Sequence, residues 1–295
     1  MVLRYNMCML IDVHTHIFPR EFIEKRSEYA SLDAIFAELY CNKKASMVTA
    51  EQLIEYMDQA GIEQAVAQAI SWGTNRLCHI HNEYMAEVQA RYGHRLLALG
   101  IFNPVDQSGA QKELEFCCNA GLSGIGELRP DKQGFNLKDK ALLYPFMRFM
   151  WKNNMFLSLH CSEPVGHVYD GKGQVLPQDI YTFLLNFPDL KVLLSHFGGG
   201  LPFYALMPEV KETFKNVVVD CAAQPYLYGN DIYEICARIL GQDKILFGSD
   251  FPLLKLERYK KETEYLDKNF QEKLFYGNAQ KFINRNLDYI QQKFM

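Results

Sequence analysis

Eight short apolar runs, each followed by a stretch with helical spacing, limit the folds open to this chain more than any other feature. The runs lie at 9–14, 63–70, 96–102, 122–128, 156–160, 192–196, 217–221 and 245–250. Most are rich in leucine or β-branched residues and nearly continuous in apolar character, as strands buried on both faces read. The fourth, Leu122-Ser123-Gly124-Ile125-Gly126-Glu127-Leu128, is weak by propensity. Residues 49–60, 75–92, 107–119, 141–153, 177–187, 203–214, 230–240 and 257–268 carry the helical spacing. Thr49 and Gln52 form a capping box, and Gly61 closes the helix they open. Pro104 and Asp106 precede the helix that Gly121 ends, and Asn230-Asp231 opens another that Gly241 stops. The alternation predicts an α/β chain folded as a (β/α)8 TIM barrel. A doubly wound sheet is the alternative, but no Gly-x-Gly-x-x-Gly follows any early strand. Segment 17–47 is longer than an ordinary βα loop and reads as an insertion after strand one, near the barrel mouth. Residues 270–295 read as C-terminal helices on the outside. With no linker, repeat or low-complexity tract, residues 1–295 read as one domain.

Active sites of such barrels gather at the carboxyl ends of the strands. There the apolar runs close in ionisable residues: His14 and His16, Glu127, His160, His196 and Asp250. On a strand, residues two apart face the same way, so the two imidazoles of His14-Thr15-His16 sit side by side, about 7 Å apart. Each position alone has an ordinary explanation. Asp250 could cap a turn, His160 could be a satisfied core histidine, and Glu127 could pair with Arg129. Together, unpaired ionisable groups at one rim carry a desolvation penalty that a metal ion offsets. His79, His81 and His94 are expected at the surface; His167, in a glycine-containing loop, is read as a surface group or a substrate contact.

Composition narrows the partners. The chain of 295 residues is 48% hydrophobic and 22% charged, a globular profile, with a net charge of -4. That charge gives no electrostatic case for nucleic acid or an anionic membrane, and no apolar run reaches the ~20 residues of a membrane helix. Met1 to Met9 lacks the apolar region and cleavage site of a signal peptide; Met7 or Met9 would serve equally well as the start. The eight cysteines show no Cys-x-x-Cys spacing, Cys117 and Cys118 being adjacent, and read as reduced core residues. The expected setting is therefore cytoplasmic. The expected partner is a small-molecule substrate; a homo-oligomer stays open.

The polar motifs also carry a family likeness. His14-Thr15-His16, His160 in Ser158-Leu159-His160-Cys161-Ser162-Glu163, His196 before Phe197-Gly198-Gly199-Gly200, and Asp250 in Gly248-Ser249-Asp250-Phe251-Pro252 resemble the amidohydrolase superfamily. The likeness spans residues 9 to about 285 and is nearest to the amidohydrolase-related branch that includes aminocarboxymuconate-semialdehyde decarboxylase. It implies that His14, His16, His160 and Asp250 surround a divalent metal, usually zinc. His196 would be a second-metal ligand or an acid/base group. Glu127 ends strand four as in TatD-like enzymes, so one or two ions remain open. Such an ion lowers the pKa of bound water to roughly 7. Asp250 would accept that water's proton and pass it to a leaving group, while His196 steadies an oxyanion or transfers protons.

Arg129 and Trp72, after strands four and two, are the expected substrate contacts; Arg129 suits a carboxylate or phosphate, or else an ion pair with Glu127. The loop Gly198-Gly199-Gly200-Leu201-Pro202 reads either as an anion site or as a structural turn. The main expectation is a metal-dependent hydrolase of a small amide, ester, lactone or phosphoester, toward which Glu127 leans. The alternative is a zinc-dependent non-oxidative decarboxylase of an unsaturated or aromatic acid, which Gly198-Gly199-Gly200-Leu201-Pro202-Phe203 resembles. A barrel that binds without catalysis ranks below both, and the acidic chain argues against a nuclease.

Overall fold

The computed structural model describes residues 9–169 and 171–283. Its strands are β1 (Ile11–His16), β2 (Gln64–Gln68), β3 (Leu96–Gly100), β4 (Gly124–Leu128), β5 (Phe156–Leu159), β6 (Val192–Leu194), β7 (Val217–Asp220) and β8 (Ile245–Leu246). They pair in parallel, in chain order, from β1 to β8. Val13 N donates to Phe247 O at 2.9 Å, His16 N to Phe251 O at 2.8 Å and Asp250 N to His14 O at 2.9 Å, closing β8 onto β1. This is the predicted barrel.

Most predicted helices form near their expected bounds, among them Asn75–Tyr92 and Gln107–Asn119. The capping box at Thr49 is present in full, with Gly61 left-handed at the C-cap. The stretch expected as one helix over 203–214 is instead two, Leu201–Tyr204 and Pro208–Glu212. Pro208 offers no N–H and disfavours helical backbone at the residue before it, and Met207 is extended at φ -82, ψ 122.

Alternate strand residues divide the core into two layers. Ala65, Ala98, Leu157, Leu194, Val219 and Phe247 pack outward beneath the helices. Val66, Leu97, Leu99, Phe156, Leu193, Val218 and Leu246 fill the interior with Ile11 and Val13. Along several strands the inward set runs from apolar to polar: Phe156, Ser158, His160; Val218, Asp220; Leu246, Gly248, Asp250. The register of β1 on β2 shifts between Asp12 and Thr15. Such a bulge breaks strict alternation, so Ile11 and Val13 pack inside while His14 and His16 still converge there. Ala279, Phe282 and Ile283 join the interior cluster, so this segment plugs the barrel rather than lying outside it as expected. The remainder of that expectation, residues 284–295, lies outside the described residues.

Three short helices, Arg20–Glu24, Arg26–Leu32 and Ala34–Tyr40, make up the insertion after β1. Asp33 caps the third and also accepts from Gly73 N at 2.7 Å. Trp72 is corrected by its burial: it has no exposed surface, and its ring stacks on Phe36 at 5.2 Å. It offers no face to a substrate and instead fastens the insertion to β2. Its Nε1 donates to His81 Nδ1 at 3.2 Å, and His81 Nε2 donates to Ile17 O at 3.0 Å. His81, expected at the surface, is therefore a fully buried link. The seven described cysteines are free, and only Cys41 is exposed. Among the described residues no helix is long and apolar enough to cross a membrane. Trp72→Ala is expected to cost about 3–5 kcal/mol in chemical denaturation; a loss below ~1 kcal/mol would contradict the fastening role.

Candidate active site

The seam between β1 and β8 sets the first half of the site. Asp12, buried, accepts on Oδ1 from His14 N at 3.1 Å and Ser249 N at 2.9 Å, tying the two strand ends together. Burial pushes its carboxyl up to about 7. The Nε2 atoms of His14 and His16 stand 3.1 Å apart, with Asp250 Oδ1 3.6 Å from the first and 3.5 Å from the second. Donors bound at about 2.0–2.2 Å to one ion have separations of this order. His14, His16 and Asp250 therefore could hold a metal, as could His14, Glu127 and His196.

Glu127 is the second centre. Its Oε1 is 3.1 Å from His160 Nδ1, 3.5 Å from His196 Nε2 and 3.9 Å from His14 Nε2, and its Oε2 is 3.8 Å from His16 Nε2. Burial alone would raise the carboxyl's pKa, but the surrounding imidazoles, His160 and His14 foremost, hold it well below the usual carboxylate range. His160 falls in neither group; its Nδ1 faces Glu127, and Nε2 is 3.4 Å from Ser162 Oγ. Burial also pulls His14 and His196 downward, yet nearby carboxylates outweigh it. Asp220 and Glu127 push His14 up to about 10, and Glu127 pushes His196 up to about 9. His16 is lowered by burial and by His14.

His196 also donates from Nδ1 to Ala222 O at 3.0 Å. Its φ of 57 lies in the left-handed region, like Phe197 at 51, Ala223 at 55 and Asp250 at 61. Non-glycine residues there cost of order 1–3 kcal/mol each, and strain of this kind gathers where side-chain direction matters. At Gly199, also left-handed at φ 59, a Cβ would collide with the Ser162 carbonyl, which favours the structural-turn reading of the loop. The helix that follows spans only Leu201–Tyr204.

Arg129 is 3% exposed, but its partners are not the expected Glu127. Nη2 donates to Gly171 O at 3.1 Å and stands 3.6 Å from Glu38 Oε1 and 3.9 Å from Asp131 Oδ2. Among the described residues, its Nε and Nη1 are buried without a hydrogen-bond partner. Sequence reasoning passed over Asp220, whose Oδ2 lies 2.9 Å from His14 Nδ1. The signal was present: Val217-Val218-Val219-Asp220 is another apolar run closing in a carboxylate.

A parallel (β/α)8 barrel whose strand ends bring four imidazoles and two carboxylates around one buried cluster is the frame of a metal-dependent barrel enzyme. The family model described as "Amidohydrolase" matches residues 11–285, and the chain belongs to that family. It is similar to a gamma-resorcylate decarboxylase of Polaromonas, 24% identical over 286 residues, covering 80% of this chain and 87% of the relative. It is also similar to a 2-amino-3-carboxymuconate-6-semialdehyde decarboxylase of Dictyostelium discoideum, 21% identical, covering 92% of this chain and 91% of the relative. Among solved structures, a 5-carboxyvanillate decarboxylase variant of Novosphingobium aromaticivorans with bound manganese superposes with a TM-score of 0.74. It is 17% identical, over 94% of this chain and 97% of that one.

These relatives overturn the expectation of hydrolysis. All three are decarboxylases, and each is matched along most of its length, which fits the alternative reading. The donor set could not decide between the two, because the same imidazoles and carboxylates can serve either reaction. The manganese in the matched structure also leaves the expectation of zinc without support from that comparison.

The pKa shifts predict a pH dependence. His14 and His196 rise from an ordinary 6.5 to about 10 and about 9. A raised histidine contributes stability in full below its unfolded value and loses it as the pH climbs through the folded one. Thermal melts in the presence of a chelator are expected to fall between pH 7 and 10; a flat profile would contradict the charge assignment.

Proposed function

We propose that the protein is a divalent-metal-dependent, non-oxidative decarboxylase of an aromatic or unsaturated carboxylic acid. The observation that carries this reading is that both curated relatives, matched over 80% and 92% of the chain, are decarboxylases of such acids.

The residues fit a cation. His14 Nδ1 is occupied by Asp220, which leaves the Nε2 lone pair beside that of His16 and Asp250 Oδ1. Three donors of these types suit manganese or zinc. Both candidate groups draw on His14. With Nδ1 taken, one nitrogen serves both, so the proposal is a single ion. A cation held there would supply positive charge that binds the substrate's oxygens and holds the carboxyl-bearing carbon in place for protonation.

The remaining chemistry belongs to the chain. Asp250 has a side chain 16% exposed, against 9% for Glu127 and 0% for Asp220, and so meets the substrate most readily. Its Oδ1 faces the histidines, leaving Oδ2 to hand a proton to the carbon that bears the carboxyl group. The bond from that carbon to the carboxyl then breaks, its electrons return to the ring or alkene, and carbon dioxide leaves. One proton is taken up for each carbon dioxide released, with no water consumed. His196, held by Ala222 O and raised by Glu127, carries the proton that resupplies the site. Arg129, whose Nε and Nη1 have no hydrogen-bond partner among the described residues, takes a carboxylate or phenolate of the substrate.

The test is a panel of ortho-hydroxy aromatic and unsaturated acids, with manganese or zinc, followed by carbon dioxide release. In D2O the product is expected to carry one deuterium where the carboxyl was. Chelation should abolish turnover and re-addition of metal restore it. No decarboxylation across the panel by metal-loaded protein would sink the reading. Asp250→Asn is expected to lower kcat by about 100- to 10,000-fold; unchanged kcat with unchanged metal content would remove Asp250 from both roles.

A further inference from the structure

The buried carboxylate at the end of β7 takes no part in the proton transfers above, yet it touches both halves of the site. Asp220 has no exposed surface. Its Oδ2 is 2.9 Å from His14 Nδ1, while its Oδ1 accepts from the backbone N–H of His196 at 2.9 Å and of Ala222 at 3.0 Å. We propose that Asp220 is a positioning residue that fixes which nitrogen of His14 faces the metal and, through its other oxygen, seats His196.

Hydrogen-bond polarity sets the tautomer of His14. A buried carboxylate of this kind only accepts, so His14 Nδ1 must carry a proton. When the ring is neutral, Nε2 then bears the lone pair, 3.1 Å from His16 Nε2 and 3.6 Å from Asp250 Oδ1. The other oxygen holds the N–H of His196, whose φ of 57 is unfavourable for a residue with a side chain. The same turn carries Ala222, whose N–H goes to Asp220 and whose carbonyl receives His196 Nδ1. One side chain thus links the orientation of a candidate ligand to that of the proton carrier.

Asp220→Asn keeps size and shape but changes this polarity. If the amide oxygen faced His14, its NH2 group would oppose the N–H of both His196 and Ala222, breaking two buried bonds. The favoured orientation keeps those two bonds and turns the NH2 toward His14 Nδ1. That nitrogen must then accept, its proton moves to Nε2, and an N–H points where a lone pair is needed. Removing the partner that orients a ligand histidine typically lowers metal affinity 10–100-fold.

The inference rests on the metal reading of the site, but its main readout does not. Nitrogen-15 spectra of histidine-labelled, metal-free protein, taken at a pH where the His14 ring is neutral, are expected to show Nδ1 protonated in the wild type and bare in Asp220→Asn. Chelator competition on the folded variant should show metal affinity about 10–100-fold weaker. A bare Nδ1 in the wild type, or a protonated one in the variant, overturns the inference. A switched proton with unchanged metal affinity upholds the tautomer role of Asp220 and overturns His14 as a ligand instead. If the variant fails to fold, the wild-type spectrum decides alone.

Discussion

Closure of the barrel between β8 and β1 is the constraint on which the site depends. Three backbone hydrogen bonds and the Asp12 carboxylate hold the two strand ends in one register. Because the seam is fixed, His14, His16 and Asp250 meet with three donor atoms within 3.6 Å of each other, although the second histidine and the aspartate lie 234 positions apart. The left-handed backbone of Asp250 is maintained by the same seam, through its N–H to His14 O. Slippage by one residue would turn every side chain of β1 to the other face.

The second constraint is charge. Four imidazoles crowded in a buried space would repel one another if protonated, and Glu127 is the anion they share. Asp220 and Asp250 flank the cluster, so carboxylates answer imidazoles from three different strand ends. Burial makes each unpaired charge expensive, which is why the polar residues occupy the mouth end of the inward-facing positions while Phe156, Val218 and Leu246 fill the apolar interior below. The same low dielectric that penalises isolated charges strengthens their attraction for a cation and for an anionic substrate.

Much of this was legible in the chain because the barrel repeats one simple device. An apolar run ending in His, Glu or Asp gives both the strand and the position of its last residue, and His14, His16, Glu127, His196 and Asp250 were found that way. What escaped detection required knowledge of packing. Trp72 follows β2 where a substrate contact would be expected, but the insertion folds over it, and only Phe36 and His81 in three dimensions reveal that. Arg129 sits two residues after Glu127, which favours a local ion pair by sequence, yet the chain turns and its guanidinium meets Glu38 and Asp131. The reaction itself was not legible. Imidazoles and carboxylates specify a charged, proton-handling cluster, whereas hydrolysis and decarboxylation differ in which bond is presented to it.

Anomalous diffraction at the manganese and zinc edges, from crystals of the protein loaded with each metal, would locate the ion. One strong peak per chain is expected, about 2.0–2.3 Å from His14 Nε2, His16 Nε2 and an oxygen of Asp250. Two peaks bridged by Glu127, a peak remote from these three side chains, or no peak from metal-loaded protein would contradict it.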